Sequence, residues 1–407
     1  MKKSTGRWVS GEDFFDREQD LKILKQQVQD HNHILLTGQR RMGKTSITQE
    51  LGRQLQEDGW AYLFCDVEGA KCPEDVISEL AYSARIARVS TKHVTDKLGR
   101  WVKKNFEEVD MTKLLRIKFR AGVDPGNWKQ VGRGLLRDCA KNKKPVLIVI
   151  DELPIFLKRM LDQDQNAKRV DEFLSWLRGE FQQFSGKGPV LIVSGSIGLE
   201  PLVRRLDISD RINYFHAHRL GPWNRETCIR CFERLAESYG LSIENGVAES
   251  VYETLGIGIP QHVQSFFARL HDFSEMHQLG QIMIEHVDAV YHAALLGPSG
   301  QIDLAHYRSR LKDALAEKTY TIAETILAEA AIQDSFTPGD RKILEQEYGR
   351  IMDDAPDCIA EVLDVLTHDG YLVLNDDNCY HFSFRLLKDW WAATFRQNYV
   401  PIKGRKN

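Results

Sequence analysis

Eight consecutive residues, Gly38-Gln39-Arg40-Arg41-Met42-Gly43-Lys44-Thr45, place two glycines, a lysine and a hydroxyl at the spacing GxxxxGK[ST]. That spacing suits a phosphate chain. Backbone N–H groups of a tight loop and a helix N-terminus can surround phosphate oxygens, Lys44 can reach the β- and γ-phosphates, and the Thr45 hydroxyl can ligate Mg²⁺. Glycine at 38 and 43 lets the backbone turn and approach the ligand closely. By chance the pattern arises in roughly one chain in a hundred of this length. The complementary acid ends another apolar run, Val146-Leu147-Ile148-Val149-Ile150-Asp151-Glu152. Here Asp151 would hold Mg²⁺ through water or a hydroxyl, and Glu152 would orient and polarise an attacking water. A third run, Val190 to Val193, ends in Ser194-Gly195-Ser196. Ser194 or Ser196 could sense a γ-phosphate there, or act as a helix cap or turn serine. GTP specificity usually requires Asn-Lys-x-Asp after a strand. The pair Asn142-Lys143 is followed by Lys144 and Pro145 and precedes a strand, so ATP is favoured.

These residues need strands to carry them. Short β-type runs at His33–Thr37, Trp60–Asp66, Pro145–Ile150 and Pro189–Ser194 alternate with segments of helical period, which predicts an α/β domain of parallel strands and crossover helices. Beyond Trp223 the pattern is helical only, at Arg225–Tyr239, Val247–Thr254, Gln261–Phe273 and Met283–Ala294. Three further helices, Tyr320–Gln333, Pro338–Tyr348 and Asp357–Thr367, precede two alternating strands, Tyr371–Leu374 and Tyr380–Phe384. Three helices and a hairpin predict a winged-helix module, closed by an amphipathic helix at Arg385–Phe395 with Trp390 and Trp391. The division expected is 1–223 for a P-loop ATPase core, 224–298 for a helical lid and 299–407 for the winged helix with its C-terminal helix.

The 407 residues carry 42% apolar and 28% charged side chains, a globular profile with room for several cores. Seven scattered cysteines suggest no disulfide framework, and a cytoplasmic protein is the natural reading. Apolar runs are too short to span a bilayer, and the polar N-terminus leads into no signal-peptide core, so no membrane partner is expected. The formal charge of −3 hides a polarity. Residues 91–145 hold 15 Lys/Arg against six Asp/Glu, with Trp101, Phe106 and Trp128 interleaved, the pattern of a surface for nucleic-acid backbone or single strands. Residues 300–395 hold nine Lys/Arg against 18 Asp/Glu. The helix a winged module would lay in the major groove, Asp357 to Thr367, has no Lys or Arg, so DNA would be repelled and a protein contact is expected. Cys228-Ile229-Arg230-Cys231 lacks a second Cys/His pair for zinc, and His216-Ala217-His218 reads as strand surface.

Taken together, the sequence resembles the archaeal-type branch of AAA+/STAND P-loop ATPases, which is related to the origin-recognition ATPases. The resemblance rests on Phe14-Phe15-Asp16-Arg17-Glu18, on the loop 38–45 continued by Ser46, and on Asp151-Glu152. It extends through Gly195-Ser196, Gly258-Ile259-Pro260 and Phe382-Ser383-Phe384-Arg385-Leu386-Leu387. It implies an α/β P-loop NTPase parallel sheet with a helical lid and a C-terminal winged helix, and ATP and Mg²⁺ as cofactors. It also makes Phe15, Arg17 and Pro260 flank the adenine. An arginine after the sensor strand that reaches a neighbouring subunit's γ-phosphate is implied as well; Arg204, Arg205 and Arg211 lie in that region, and Arg211 is preferred.

The function expected is an Mg²⁺-dependent ATPase, a homo-oligomer whose turnover switches its conformation or assembly and regulates a protein partner through the winged helix. One alternative is a DNA-remodelling ATPase, origin- or transposition-like, using residues 91–145. Another is a scaffold or sensor that holds ATP without hydrolysing it.

Overall fold

The computed structural model describes residues 1–4, 6–89, 120–184, 186–195 and 197–405. Its contacts group into two compact units, one of residues 9–38 and 44–220, the other of residues 1–8, 39–43 and 221–407.

The first unit is an α/β layer structure. Five strands, β1 (Ile34–Thr37), β2 (Ala61–Asp66), β3 (Val146–Asp151), β4 (Val190–Ser194) and β5 (His216–Arg219), form one sheet in the order β2-β3-β4-β1-β5. All pairs are parallel. Every residue of β3 and β4 is buried, as expected of central parallel strands covered on both faces. At one edge β5 is short and polar, which discourages pairing with another chain. Helix α1 (Glu18–Gln29) buries Leu21, Leu24 and Val28, and α2 (Lys44–Glu57) buries Ile47, Leu51 and Leu55, the spacing of one helical face. In α2, Gly52 lies against the Tyr62 ring, where a Cβ would come within 2.6 Å. Helix α3 (Pro73–Ile86) and the helices Trp128–Ala140, Leu153–Asp164 and Lys168–Gln182 complete the layers.

Trp128 departs from the reading of an interleaved aromatic on a binding surface. It is 6% exposed and packs edge-on against Trp176 at 5.1 Å, with Phe173 at 5.9 Å. Its helix turns Val131, Leu135 and Leu136 into the same core, so apolar burial outweighs the local basic composition at this end of 91–145. Trp101, Phe106, Lys103, Lys104, Arg116 and Lys118 lie outside the described residues.

The second unit is mostly helical. Its helices run Arg225–Tyr239, Val247–Leu255, Pro260–His277, Ile284–Val290, Pro298–Ala314, Glu317–Ile332, Pro338–Tyr348, Ala355–His368 and Arg385–Phe395. The helix Pro298–Ala314, absent from the elements expected from periodicity, turns Leu304, Tyr307 and Leu311 inward. Asn224 accepts the Thr227 N–H at 2.8 Å and caps the first helix, which ends at Gly240 in the left-handed region. The hairpin pairs β6 (Leu372–Leu374) antiparallel with β7 (Tyr380–Phe382). Trp390 and Trp391 are buried as the last helix packs on Glu317–Ile332. Among the described residues no helix is long and apolar enough to cross a membrane, and none of the cysteines forms a disulfide.

Each unit holds a histidine in its neutral form, partly buried in the first unit and fully buried in the second. His33 sits edge-on to Phe181 and Tyr214, and its Nδ1 accepts the Leu191 N–H at 3.2 Å. Burial, reinforced by His31 and His216, lowers its pKa to about 4. In the second unit burial, then the charge of Arg41, lowers His262 to about 3. In the unfolded chain both titrate near 6.5. A folded pKa below the unfolded one means that the unfolded state takes up more protons as pH falls. This stability is full above about pH 6.5 and is lost towards pH 4, at up to about 1.4 kcal/mol per histidine per pH unit. The urea midpoint is expected to fall between about pH 7.5 and about pH 5.5; a constant or rising midpoint would refute neutral burial.

Candidate nucleotide site

The loop begins where β1 ends. Leu220 N–H donates to the Thr37 carbonyl at 2.9 Å, and Gly38 follows with φ +143°. A Cβ at 38 would stand 2.5 Å from the Leu220 carbonyl oxygen, so only glycine passes there without displacing backbone. Helix α2 starts at Lys44, which leaves its first N–H groups without intrahelical partners and favourable to anions. Lys44 is 7% exposed, and its Nζ donates to the Gly38 carbonyl at 2.6 Å.

Three donors converge on Asp151. Thr45 Oγ1 donates to Oδ2 at 2.7 Å, while Ser194 Oγ donates to Oδ1 at 2.6 Å and the Glu152 N–H to Oδ1 at 3.2 Å. The carboxylate is 5% exposed. This meeting depends on strand order: β4 lies between β1 and β3, with Leu36 beside Ser194 and Ile150 beside Val193. Gly195 makes the approach possible, because a Cβ there would come within 2.4 Å of Pro154. Ser194 is not a cap for the following helix, whose N-cap is Gly198. Ser196 lies outside the described residues.

Glu152 occupies the left-handed region at φ +61°, a strained conformation for a residue with a Cβ and one found disproportionately at functional positions. It is followed directly by the helix Leu153–Asp164 with Pro154 in its first turn, so the chain reverses sharply after β3.

The segment before α1 is tied to α2. Ser46 Oγ accepts the Val9 N–H at 3.1 Å, and Glu50 Oε2 accepts the Gly11 N–H at 2.8 Å. Ser46 therefore anchors the N-terminal segment in this structure. Glu50 is a residue the motif did not mark; burial raises its pKa, but hydrogen bonds from Arg53, the Gly11 N–H and Gln54 together hold it below the ordinary carboxylate value. Phe15 is half-buried, and Arg17, at φ +74°, reaches Asp20 at 3.4 Å.

Arg211 lies in a 3-10 turn, Ser209–Ile212, with Nε 2.7 Å from Asp171 and Nη1 on Asp210. Its charge is thus satisfied within its own chain. Arg204 and Arg205 are exposed at the end of the helix Leu199–Arg205. Gln39, Arg40, Arg41, Met42 and Gly43 group with the second unit, where Met42 is buried. Also there, Pro260 opens the helix Pro260–His277, and the preceding Gly258 carbonyl accepts the Trp223 N–H at 2.8 Å. Cys228 and Cys231 are buried, and the described residues contain no cluster of His, Cys, Asp or Glu suited to a metal.

No family model matches the chain, and no curated protein matches it. Among solved structures it is similar to the Walker-type ATPase PABY2304 of Pyrococcus abyssi, with a TM-score of 0.61 and 17% identity over 94% of this chain and 97% of that one. The fold is that of a Walker-type ATPase. The α/β P-loop NTPase class expected from the sequence is borne out. The ORC1 protein of Aeropyrum pernix, solved in complex with DNA, matches at TM-score 0.44 and 13% identity over 94% of each chain. The RuvB Holliday junction branch migration motor of Thermotoga maritima matches at 0.46 and 16% over 96% and 98%. At TM-scores below 0.5 neither adds to the fold assignment.

Proposed function

We propose that the chain binds ATP with Mg²⁺ and hydrolyses it, and that turnover switches conformation or assembly to regulate a protein partner. The observation that carries this reading is the convergence of the Thr45 and Ser194 hydroxyls on the two oxygens of Asp151, beside the N-terminus of α2. The oxygen donors of Thr45 and Asp151 fit a hard divalent cation. Thr45 and Asp151 would hold Mg²⁺, which would supply positive charge to offset the charge that develops on the phosphates. Lys44 exchanges the Gly38 carbonyl for phosphate oxygens and holds that charge as a point cation. Glu152 orients the attacking water and accepts its proton, while Asp151 keeps the Thr45 hydroxyl in place. The proposed organisation is a core over 1–223, a lid over 224–298 and a winged-helix module over 299–407. In an oligomer Arg211 would leave Asp171 and Asp210 to serve a neighbour.

The test is phosphate release from ATP with and without DNA, RNA and a co-purifying protein, with native mass measured in parallel. Turnover is expected with ATP and Mg²⁺ alone and is changed by the protein. Absence of phosphate release under every condition would end the enzymatic reading in favour of an ATP-holding scaffold. Salt-dependent stimulation by DNA, lost on neutralising Lys103, Lys104, Arg116 and Lys118, would replace partner regulation with DNA remodelling.

A further inference from the structure

Phosphate binding by a GxxxxGK[ST] loop uses backbone N–H groups and the lysine; the side chains at the four variable positions are not needed for it. In this chain two of them are engaged elsewhere within the second unit. Gln39 Nε2 donates to the Gly370 carbonyl at 2.7 Å, and Arg40 Nη1 donates to the His306 carbonyl at 3.3 Å. The two acceptors belong to one assembly. Gly370 directly follows the C-cap of the helix Ala355–His368, at φ +78°, and its carbonyl also accepts the Ser383 hydroxyl from beyond β7. The next residue, Tyr371, is buried and donates its hydroxyl to the Tyr307 carbonyl at 2.7 Å, beside His306. The fit at Gly370 is tight, since a Cβ there would stand 2.7 Å from Gln39 Cδ and 2.9 Å from its Cγ.

We propose that Gln39 and Arg40 form an autoinhibitory latch, which holds the tip of the phosphate loop against the C-terminal module and is released when nucleotide occupies the loop. This rests on the ATP-binding reading above. At the base of the same loop Lys44 donates to the Gly38 carbonyl at 2.6 Å. A phosphate that draws the N–H groups of the loop and the Lys44 ammonium onto itself shifts the backbone carrying Gln39, and a 2.7 Å bond tolerates little shift. Because coupling between binding events is reciprocal, anything that opens the latch tightens nucleotide binding by the factor by which nucleotide opens the latch.

The full chain is tested with the Mg²⁺ complex of a fluorescent ATP analogue and by hydrogen–deuterium exchange over residues 306–310 and 366–371. In the wild type, saturating nucleotide is expected to speed exchange there by about fivefold or more. Gln39→Ala is expected to show the fast exchange without nucleotide and to bind the analogue about fivefold more tightly. Gly370→Ala, which presses on Gln39 from the other side, should act in the same direction; its positive φ puts folding at risk, which Gln39→Ala does not. Weaker or unchanged binding by Gln39→Ala, or exchange that nucleotide leaves alone or slows, overturns the latch. A wild type that binds no nucleotide overturns the ATP reading and the coupling with it. The nucleotide-free comparison of Gln39→Ala with wild type still shows whether the contact restrains the module.

Discussion

Glu152→Gln is expected to retain ATP and to lose about 10²- to 10⁴-fold in turnover, the range a positioned general base contributes. The substitution keeps the volume of the side chain and its place at φ +61° after β3, and removes only the ability to take a proton. The effect should therefore fall on kcat, with nucleotide affinity within a few-fold of wild type. Single-turnover phosphate release on pre-bound ATP separates the two. If release is as fast as in wild type, Glu152 does not orient the water, and the nearest acid left for that role is Asp151. Asp151 already holds the Thr45 hydroxyl, the Ser194 hydroxyl and the Glu152 N–H.

Lys44→Ala is expected to weaken ATP binding by roughly 10- to 150-fold, since a hydrogen bond to a charged group contributes about 1.5–3 kcal/mol. Nucleotide titration followed calorimetrically reads this directly. Lys44 is buried and donates to the Gly38 carbonyl, so its loss also removes that carbonyl's hydrogen bond. A melting curve without nucleotide measures this second cost separately. Normal ATP affinity in a folded Lys44→Ala chain would remove the phosphate-loop role.

Much of the fold is written locally. The runs at 34–37, 61–66, 146–151 and 190–194 read as strands because buried parallel strands are nearly continuous in apolar residues, and the helix Arg225–Tyr239 reads at both ends because Asn224 caps it and Gly240 stops it. Where local pattern and burial disagree, the sequence misleads. Trp128 sits in a basic stretch yet lies in the core, since the penalty for exposing an indole exceeds any bias from neighbouring lysines. The helix Pro298–Ala314 buries Leu304, Tyr307 and Leu311 on one face, but polar and small residues interrupt the pattern over the helix as a whole. Glu50 carried no motif, and its role in holding the Gly11 N–H emerges only once α2 and the N-terminal segment lie side by side.

The sequence alone determined which residues could do the chemistry. Lys44 and Thr45 follow Gly43 directly, and Glu152 follows Asp151, so covalent spacing places each pair at a helix start or a strand end. It also determined the charge polarity that assigns acid to 300–395 and base to 91–145. The tertiary structure decided which of these groups meet. Only insertion of β4 between β1 and β3 brings Ser194 and Thr45 onto opposite oxygens of Asp151. Only the packing of the second unit puts Gly370 within reach of Gln39, 331 positions away in the chain. Strand order and long-range contacts are set by which apolar faces bury together, and that is a property of the whole chain that no local window contains.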